Sequence, residues 1–392
     1  MSNILVFLHS NYLLHNAGVE KVVLEQQQIF NDYGIDFFAV CPIPRIKTIF
    51  GQHVPLPTQE YVIIKNGEEL GKYSFSELET YLLGGEWTAI IIHHLKNYNY
   101  TNSLFKMIKS LSQKAPMFFY IHDFATICFN HVLMKQGKYC SHNKVGLDFK
   151  KCCTCKFYLL AIFQNKFYKK LFQQIQFNKI IFPSEIVYQI WHTVYNQIPT
   201  TKCEIIPHQK FSDKQIPNIE HMIDKIKIAY VGYASPEKGW NFWKRMVDEL
   251  TGFSNYSFYV LGRSTVKIPH VIQQEVSFLR DGNDAMVKAL QNNKIDIAVL
   301  WSKRPETYSY TFFEAYISGA FIITSVDSGN IAYMVEKMHC GKVFGSENEC
   351  LKWLKNDSEV QRQLELFFEL NNERPDKLIV NNKIIEILHE ST

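Results

Sequence analysis

At 392 residues the chain has room for two domains of roughly 100–200 residues each. Its composition, 46% hydrophobic and 20% charged with a net charge of +4, excludes an intrinsically disordered chain, a coiled coil and a collagen-like rod. No window approaches 18 uninterrupted apolar residues, and the start MSNILVFLHSNYLLH lacks a basic region and a small-residue cleavage site, so neither a membrane span nor export is expected and the chain reads as cytoplasmic.

Short apolar runs rich in β-branched and aromatic residues alternate with helix-length periodic segments, the pattern of βαβ units around a parallel sheet. In chain order the spacing predicts strand 3–9, helix 19–32, strand 36–41, helix 75–83, strand 89–93, helix 103–112 and strand 117–122. A cysteine-bearing insert follows, at about 124–156. Then come helix 157–174, strand 179–183, helix 185–195 and strand 203–207. A polar stretch, 209–224, breaks the rhythm, which restarts with strand 227–232, helix 238–250 and strands 257–261 and 276–279. Helix 283–292, strand 295–300, helix 310–318, strand 321–325 and helix 330–337 complete it, with helical segments to the end. The simplest reading is two consecutive open α/β domains, 1–215 and 222–392. Ligands of such sheets bind at the carboxyl ends of the strands, where helix N-termini and turn amides face outward.

The most informative segment is 305–326, PETYSYTFFEAYISGAFIITSV. Glu306 follows a buried strand, and Glu314, eight residues on, falls about one turn into the next helix. Ser309, Tyr310 and Thr311 occupy that helix's first turn, where amides and the positive dipole end suit a diphosphate. Two carboxylates would then flank an anion and accept hydrogen bonds from vicinal hydroxyls. On spacing alone, the plainer reading is two first-turn carboxylates that complement the helix dipole.

These residues resemble the E-x7-E signature of retaining glycosyltransferases of family 4, with the small-residue helix end and apolar strand (EAYISGAFIIT) that follow it. Three further segments are similar to that family. GYASPEKG, 232–239, resembles the strand-to-helix turn written G-R-x-x-x-x-K-G and puts Lys238 where a cation meets the donor phosphates; it departs from the pattern at Tyr233, where the family usually has arginine. AGVE, 17–20, resembles a glycine-rich loop and would let Gly18 bring backbone amides close to the donor or acceptor. His122 and Asp123, ending FFYIHD, match the place of a histidine that faces the transferred sugar.

The resemblance spans nearly the whole chain and implies a GT-B arrangement: two Rossmann-like domains facing each other across a cleft, with the acceptor on 1–215 and a nucleotide-diphosphate sugar on 222–392. It implies transfer with retention of anomeric configuration. Lys238 and the amides of Ser309–Thr311 would serve the diphosphate, Glu306 and His122 would orient the sugar, and Glu314 would hold the ribose. No D-x-D motif is present, so no catalytic metal is expected.

Nine cysteines in a chain with no export signal argue against a disulfide framework. Five of them, Cys128, Cys140, Cys152, Cys153 and Cys155, sit within 28 residues. Cys152 and Cys155 have zinc-knuckle spacing, and Cys128 and Cys140 could complete four thiolates for a structural zinc; a reduced thiol cluster, or a redox or iron–sulfur role, are the alternatives. Ten lysines against one acid, Asp148, lie between Lys135 and Lys179. In the helix after the cysteines, Leu160, Phe163, Phe167 and Leu171 share one face and Lys166, Lys169 and Lys170 lie largely to another side. This suits docking on an anionic membrane surface, at the inner face of the cell membrane, or a core helix with snorkelling lysines. No nucleic-acid motif accompanies these lysines, and nucleic acid is not expected as a partner.

The sequence thus leads to a glycosyltransferase that elongates a cell-surface polysaccharide, taking a glycan or lipid-linked acceptor. The alternatives are a non-catalytic partner subunit of the same fold, which Tyr233 favours, and a nucleotide-sugar 2-epimerase, which the paired glutamates and the Lys-Gly turn oppose.

Overall fold

A computed structural model describes all residues except 1, 16, 50, 51, 57, 59, 136, 141–154, 156, 157, 219–224 and 392. The chain forms two compact units. The first comprises residues 1–133, 141–208 and 380–392, and the second residues 134–140 and 209–379.

The first unit is built on an eight-stranded sheet whose strands are β1 (Asn3–Phe7), β2 (Asp36–Pro42), β3 (Glu60–Lys65), β4 (Glu68–Ser74), β5 (Ala89–Ile92), β6 (Met117–Tyr120), β7 (Lys179–Phe182) and β8 (Cys203–Ile205). Their spatial order is β8-β7-β6-β5-β1-β2-β3-β4. The six strands from β8 to β2 run parallel, and β3 and β4 close one edge as an antiparallel hairpin. Sequences such as NILVF, AIII and MFFY are almost wholly apolar because parallel strands carry helices on both faces. The helices are α1 (Gly18–Asp32), α2 (Phe75–Gly84), α3 (Asn102–Ser112), α4 (Tyr158–Gln174) and α5 (Glu185–His192). Several start on a side-chain cap: Ser74 and Glu77 form a reciprocal capping box at α2, Thr101 caps α3 and Ser184 caps α5.

The second unit carries a six-stranded, all-parallel sheet of β9 (Ile226–Val231), β10 (Tyr256–Leu261), β11 (Val271–Gln274), β12 (Ile297–Val299), β13 (Phe321–Ser325) and β14 (Gly341–Phe344), in the order β11-β10-β9-β12-β13-β14. Helices α6 (Trp240–Leu250), α7 (Ala285–Asn292), α8 (Tyr310–Ser318), α9 (Asn330–Met338), α10 (Glu347–Leu354) and α11 (Asp357–Leu370) alternate with the strands. One continuous core holds them, with Trp243, Met246, Phe312, Ile322 and Leu364 all fully buried.

Four features differ from the expectations above. The hairpin β3–β4 is an addition, polar on its outer strand EELGKYS and so without the apolar alternation that marks a strand. The strand expected over 276–279 lies instead over Val271–Gln274; VIQQ pairs on one side only and is mostly exposed, while Phe278–Asp281 form a helical turn. The polar stretch after residue 208 is no plain linker, because Gln215–Pro217 pairs antiparallel with Glu373–Pro375 inside the second unit. Finally α12 (Lys383–Ser391), expected with the second half, groups with the first: Ile384, Ile385, Ile387 and Leu388 are buried in the cluster that contains Ile4, Val6, Phe37 and Ile181.

Candidate active site

In the second unit the loop after β12 brings a carboxylate and two cations together. Glu306 is 5% exposed, and its Oε1 lies 3.6 Å from Lys238 Nζ and 3.7 Å from Arg304 Nη2. The Ser302 hydroxyl donates to the same oxygen (3.1 Å). Burial alone would raise the Glu306 carboxyl, but Lys238, Arg304 and Ser302 outweigh it and hold it below the ordinary carboxylate value. With two cations against one carboxylate, the cluster keeps a positive charge for an anion.

The backbone explains how Glu306 is held. Its amide donates to the Ser328 carbonyl (3.3 Å) and its carbonyl accepts from the Asn330 amide (2.9 Å), a one-residue parallel bridge to Gly329. Gly329 has φ +60°, and a Cβ there would stand 2.5 Å from Pro305 Cα, so this approach needs glycine. Lys238 closes a short 3-10 turn, Pro236–Lys238, capped by the Ser235 hydroxyl; Gly239 then turns left-handed, at φ +78°, and α6 begins. A Cβ on Gly239 would meet the Trp301 carbonyl oxygen at 2.2 Å, which packs the lysine-bearing turn against the end of β12.

The N-terminus of α8 completes the arrangement. Ser309 is its cap, accepting from the Phe312 amide (3.3 Å) and lying 3.0 Å from the Thr311 hydroxyl. Thr311 in turn neighbours Gly232 at the end of β9, 3.4 Å from where a Cβ would stand. Tyr310 sits in the first helical turn with its ring 5.2 Å from that of Tyr308, and Glu314, one turn on, is buried. Lys238, Glu306, Ser309, Tyr310, Thr311 and Glu314 therefore all belong to one unit, around the ends of β9 and β12. Tyr233, in the place of the family's arginine, is 57% exposed. Arg304 was not singled out from the sequence, where nothing in its spacing shows that its guanidinium turns back on Glu306.

In the first unit the carboxyl ends of the parallel strands carry a histidine cluster. His9 follows β1, His93 and His94 follow β5, His122 and Asp123 follow β6, and His208 follows β8. His93 Nδ1 and His122 Nε2 are 2.8 Å apart, and the rings of His122 and His208 are centred 5.3 Å apart. His94 accepts the Lys96 amide at Nδ1 (2.9 Å) and so donates from Nε2 to Asp123 (3.1 Å). Burial pushes His93 and His208 down to about 3 and His122 well below the ordinary value, so these imidazoles are neutral. The Asp123 carboxyl, which burial alone would raise, is held well below the carboxylate range by His94.

Gly18 opens the first turn of α1 with unobstructed space beside it, since a Cβ there would meet nothing within 4 Å. Two residues on, Glu20 is buried against the Ser10 hydroxyl, which donates to it, and lies 3.4 Å from His9 Nε2.

Of the four cysteines read as a zinc set, Cys152 lies outside the described residues. Cys128 is buried, and Cys140 and Cys155 are half-buried. Among the described residues no group of three or more His, Cys, Asp or Glu side chains is arranged to hold a metal ion.

On α4, the expected apolar face is split. Phe167 and Leu171 are buried, whereas Leu160 and Phe163 are 51% and 67% exposed, beside exposed Leu159. Lys166 and Lys169 are exposed too, while Lys170 lies over the Phe105 ring at 4.1 Å. Among the described residues no helix is long and apolar enough to cross a membrane.

No family model matches the chain, and no curated protein sequence matches it. Solved structures do. TarM of S. aureus is similar over 100% of this chain and 96% of its own, with a TM-score of 0.56 and 11% identity. HepE of Anabaena in complex with UDP is similar over 100% and 98%, at 0.54 and 9%. The lipopolysaccharide outer core galactosyltransferase WaaB is similar over 93% and 90%, at 0.53 and 12%. At these identities the similarity shows the fold alone, and that fold is GT-B, with two Rossmann-like α/β units.

Proposed function

We propose that the protein is a retaining glycosyltransferase of family 4 type, moving a hexosyl group from a nucleotide-diphosphate sugar to a glycan or lipid-linked acceptor in cell-surface polysaccharide biosynthesis. The observation that carries this reading is the Lys238–Glu306–Arg304 cluster beside the N-terminus of α8. An ammonium, a guanidinium and a helix start form a site for a departing diphosphate, and the buried carboxylate between the cations can take hydrogen bonds from sugar hydroxyls. Arg304 offsets the charge that Tyr233 does not supply. The similar structures lend support: HepE has been crystallised with UDP, with UDP and glucose and with UDP-glucose, and TarM with UDP, fondaparinux and alpha-GlcNAc-glycerol.

In this reading the sugar–phosphate bond breaks as Lys238, Arg304 and the first-turn amides of α8 take up the charge growing on the diphosphate. The acceptor hydroxyl attacks from the same face and gives its proton to the departing phosphate, which preserves the anomeric configuration. Glu306 and His122 orient the sugar, and Glu314 holds the ribose. We also propose that Cys128, Cys140, Cys152 and Cys155 hold a structural zinc, and that the exposed Leu159, Leu160 and Phe163 with Lys166 and Lys169 rest on an anionic membrane at its cytoplasmic face, where a lipid-linked acceptor would be met.

The test is a panel of nucleotide sugars with release of nucleoside diphosphate as readout and the product anomer read by proton NMR. Release from at least one donor, with retention, supports the reading. A partner subunit without catalysis would bind but release nothing, a 2-epimerase would convert the sugar without any acceptor, and an inverted product would remove the retaining mechanism.

A further inference from the structure

Three groups converge on one oxygen of Glu306. Its Oε1 accepts a hydrogen bond from the Ser302 hydroxyl at 3.1 Å, while Lys238 Nζ and Arg304 Nη2 stand farther off, at 3.6 and 3.7 Å. A charge-assisted hydrogen bond between such groups is about 2.7–2.9 Å long. Both cations are therefore held near the carboxylate by charge and are not bonded to it.

The three charged partners differ in how firmly they are placed. Glu306 is anchored on both sides of its backbone, its amide donating to Ser328 and its carbonyl accepting from Asn330, and its side chain is buried. The Lys238 side chain is 39% exposed, on a flexible four-carbon stem. Arg304 Nε is buried with no hydrogen-bond acceptor among the described residues. A buried donor left unpaired carries a desolvation cost that a better-placed acceptor relieves. The anion is thus fixed, one cation is free to swing, and the other is under-satisfied where it stands.

Such a cluster makes any bound diphosphate a competitor of Glu306. A diphosphate carries more negative charge than a carboxylate and offers several acceptor oxygens, so it can draw both cations to itself. To do so it must take them from Glu306 and then sit beside a buried carboxylate stripped of its counter-charges. Both effects weaken binding, and both vanish when the side chain is neutral. We propose that Glu306 is an internal counter-anion for Lys238 and Arg304, which a bound diphosphate must displace and which reclaims the cations as the nucleoside diphosphate product leaves. This rests on the reading of the cluster as the donor site, and it gives Glu306 a role separate from orienting the sugar. Two unopposed cations would hold donor and product alike more tightly, a uniform gain that leaves the chemical step no faster and slows release.

Calorimetric titration with UDP, GDP and ADP, on wild type, Glu306→Gln and Glu306→Asp, tests this, with a melting curve showing that each variant is folded. At least one nucleoside diphosphate should bind, and Glu306→Gln should bind it on the order of tenfold more tightly, with an affinity that falls more steeply as salt rises because one more positive charge is unopposed. Glu306→Asp keeps the charge but draws the carboxylate back by one methylene, so its affinity should fall between the two; it decides the comparison if Glu306→Gln does not fold. A carboxylate that only orients the sugar or holds the loop would leave the affinity unchanged or lower it. Affinity unchanged or weaker in Glu306→Gln, or in Glu306→Asp where only that variant folds, overturns the counter-anion and leaves the donor site standing. Binding of none of the three nucleotides to any of the proteins sinks the donor-site reading, and the counter-anion with it.

Discussion

Glu306 and its two cations are where a single atom matters most. Lys238→Ala removes one of the two positive groups facing the carboxylate, and the expected loss in nucleotide release is on the order of 10²–10³-fold, the scale seen when one preorganised charge-stabilising donor is removed. Glu306→Gln keeps the shape, so its thermal midpoint should stay close to the wild type while turnover falls by a similar factor; steady-state kinetics beside a melting curve separates the two. Gly329→Ala is the converse case. With φ at +60° and the Pro305 backbone 2.5 Å from the new Cβ, it should cost at least about 1–3 kcal/mol in urea unfolding, and a neutral result would show that the loop holding Glu306 shifts freely. At this scale the sequence was informative where spacing carries the chemistry. Glu306, Ser309 and Lys238 stand at fixed offsets from a strand end or a helix start, and the structure gathers them around the ends of β9 and β12. It was silent about Arg304, whose place beside Glu306 depends on which way a side chain turns.

Among the elements, the ends of β1, β5, β6 and β8 form a layer of neutral histidines, and this makes stability depend on pH. His9, His93 and His208 are lowered from 6.5 to about 3 and His122 well below its ordinary value, chiefly by burial; His208 and His94 add to this at His93, and His93, His208 and His94 at His122, with Asp123, Glu20, Lys96 and His131 also around the cluster. Their folded-state values lie below the unfolded ones, so the stability they contribute is complete above about pH 6.5. As the pH falls from there toward 3, the unfolded chain takes up protons that the folded chain refuses. Each histidine then costs on the order of 1 kcal/mol per pH unit. Asp123, held low, pulls in the same direction. Denaturant midpoints should therefore decline steadily below about pH 6.5, and a level profile down to about pH 4.5 would contradict the burial of these rings as neutral groups.

The α4 helix carries a second prediction at this scale. Flotation with anionic vesicles should recover the protein at low salt and lose it as salt rises, and Phe163→Glu should abolish recovery; no binding at low salt removes the membrane surface as a partner. Periodicity located α4 correctly, yet it could not tell that one apolar face is covered at Phe167 and bare at Phe163, because a sequence stripe records which residues align and not what lies against them.

For the whole molecule, the parallel strand–helix rhythm was legible nearly throughout, since buried parallel strands must be continuously apolar. What escaped were the polar outer strand β4 and the edge strand β11, which satisfy the backbone without burying a full face, the buried β3 that pairs with β4, and the return of α12 to the first unit. That return carries its own test. Ile384 and Leu388 are 1% and 4% exposed within the first unit's core, so alanine at either should cost about 2–5 kcal/mol there. Limited proteolysis should then cut the first unit ahead of the second, although residue 380 directly follows the second unit in the chain.

The account turns on an anion site made by Lys238, Arg304 and the start of α8. Calorimetric titration of the protein with a panel of nucleotide-diphosphate sugars tests it most directly. The prediction is saturable one-to-one binding of at least one of them, weakened by salt and lost or cut on the order of tenfold or more in Lys238→Ala. Binding of none, or binding that Lys238→Ala leaves untouched, would contradict it.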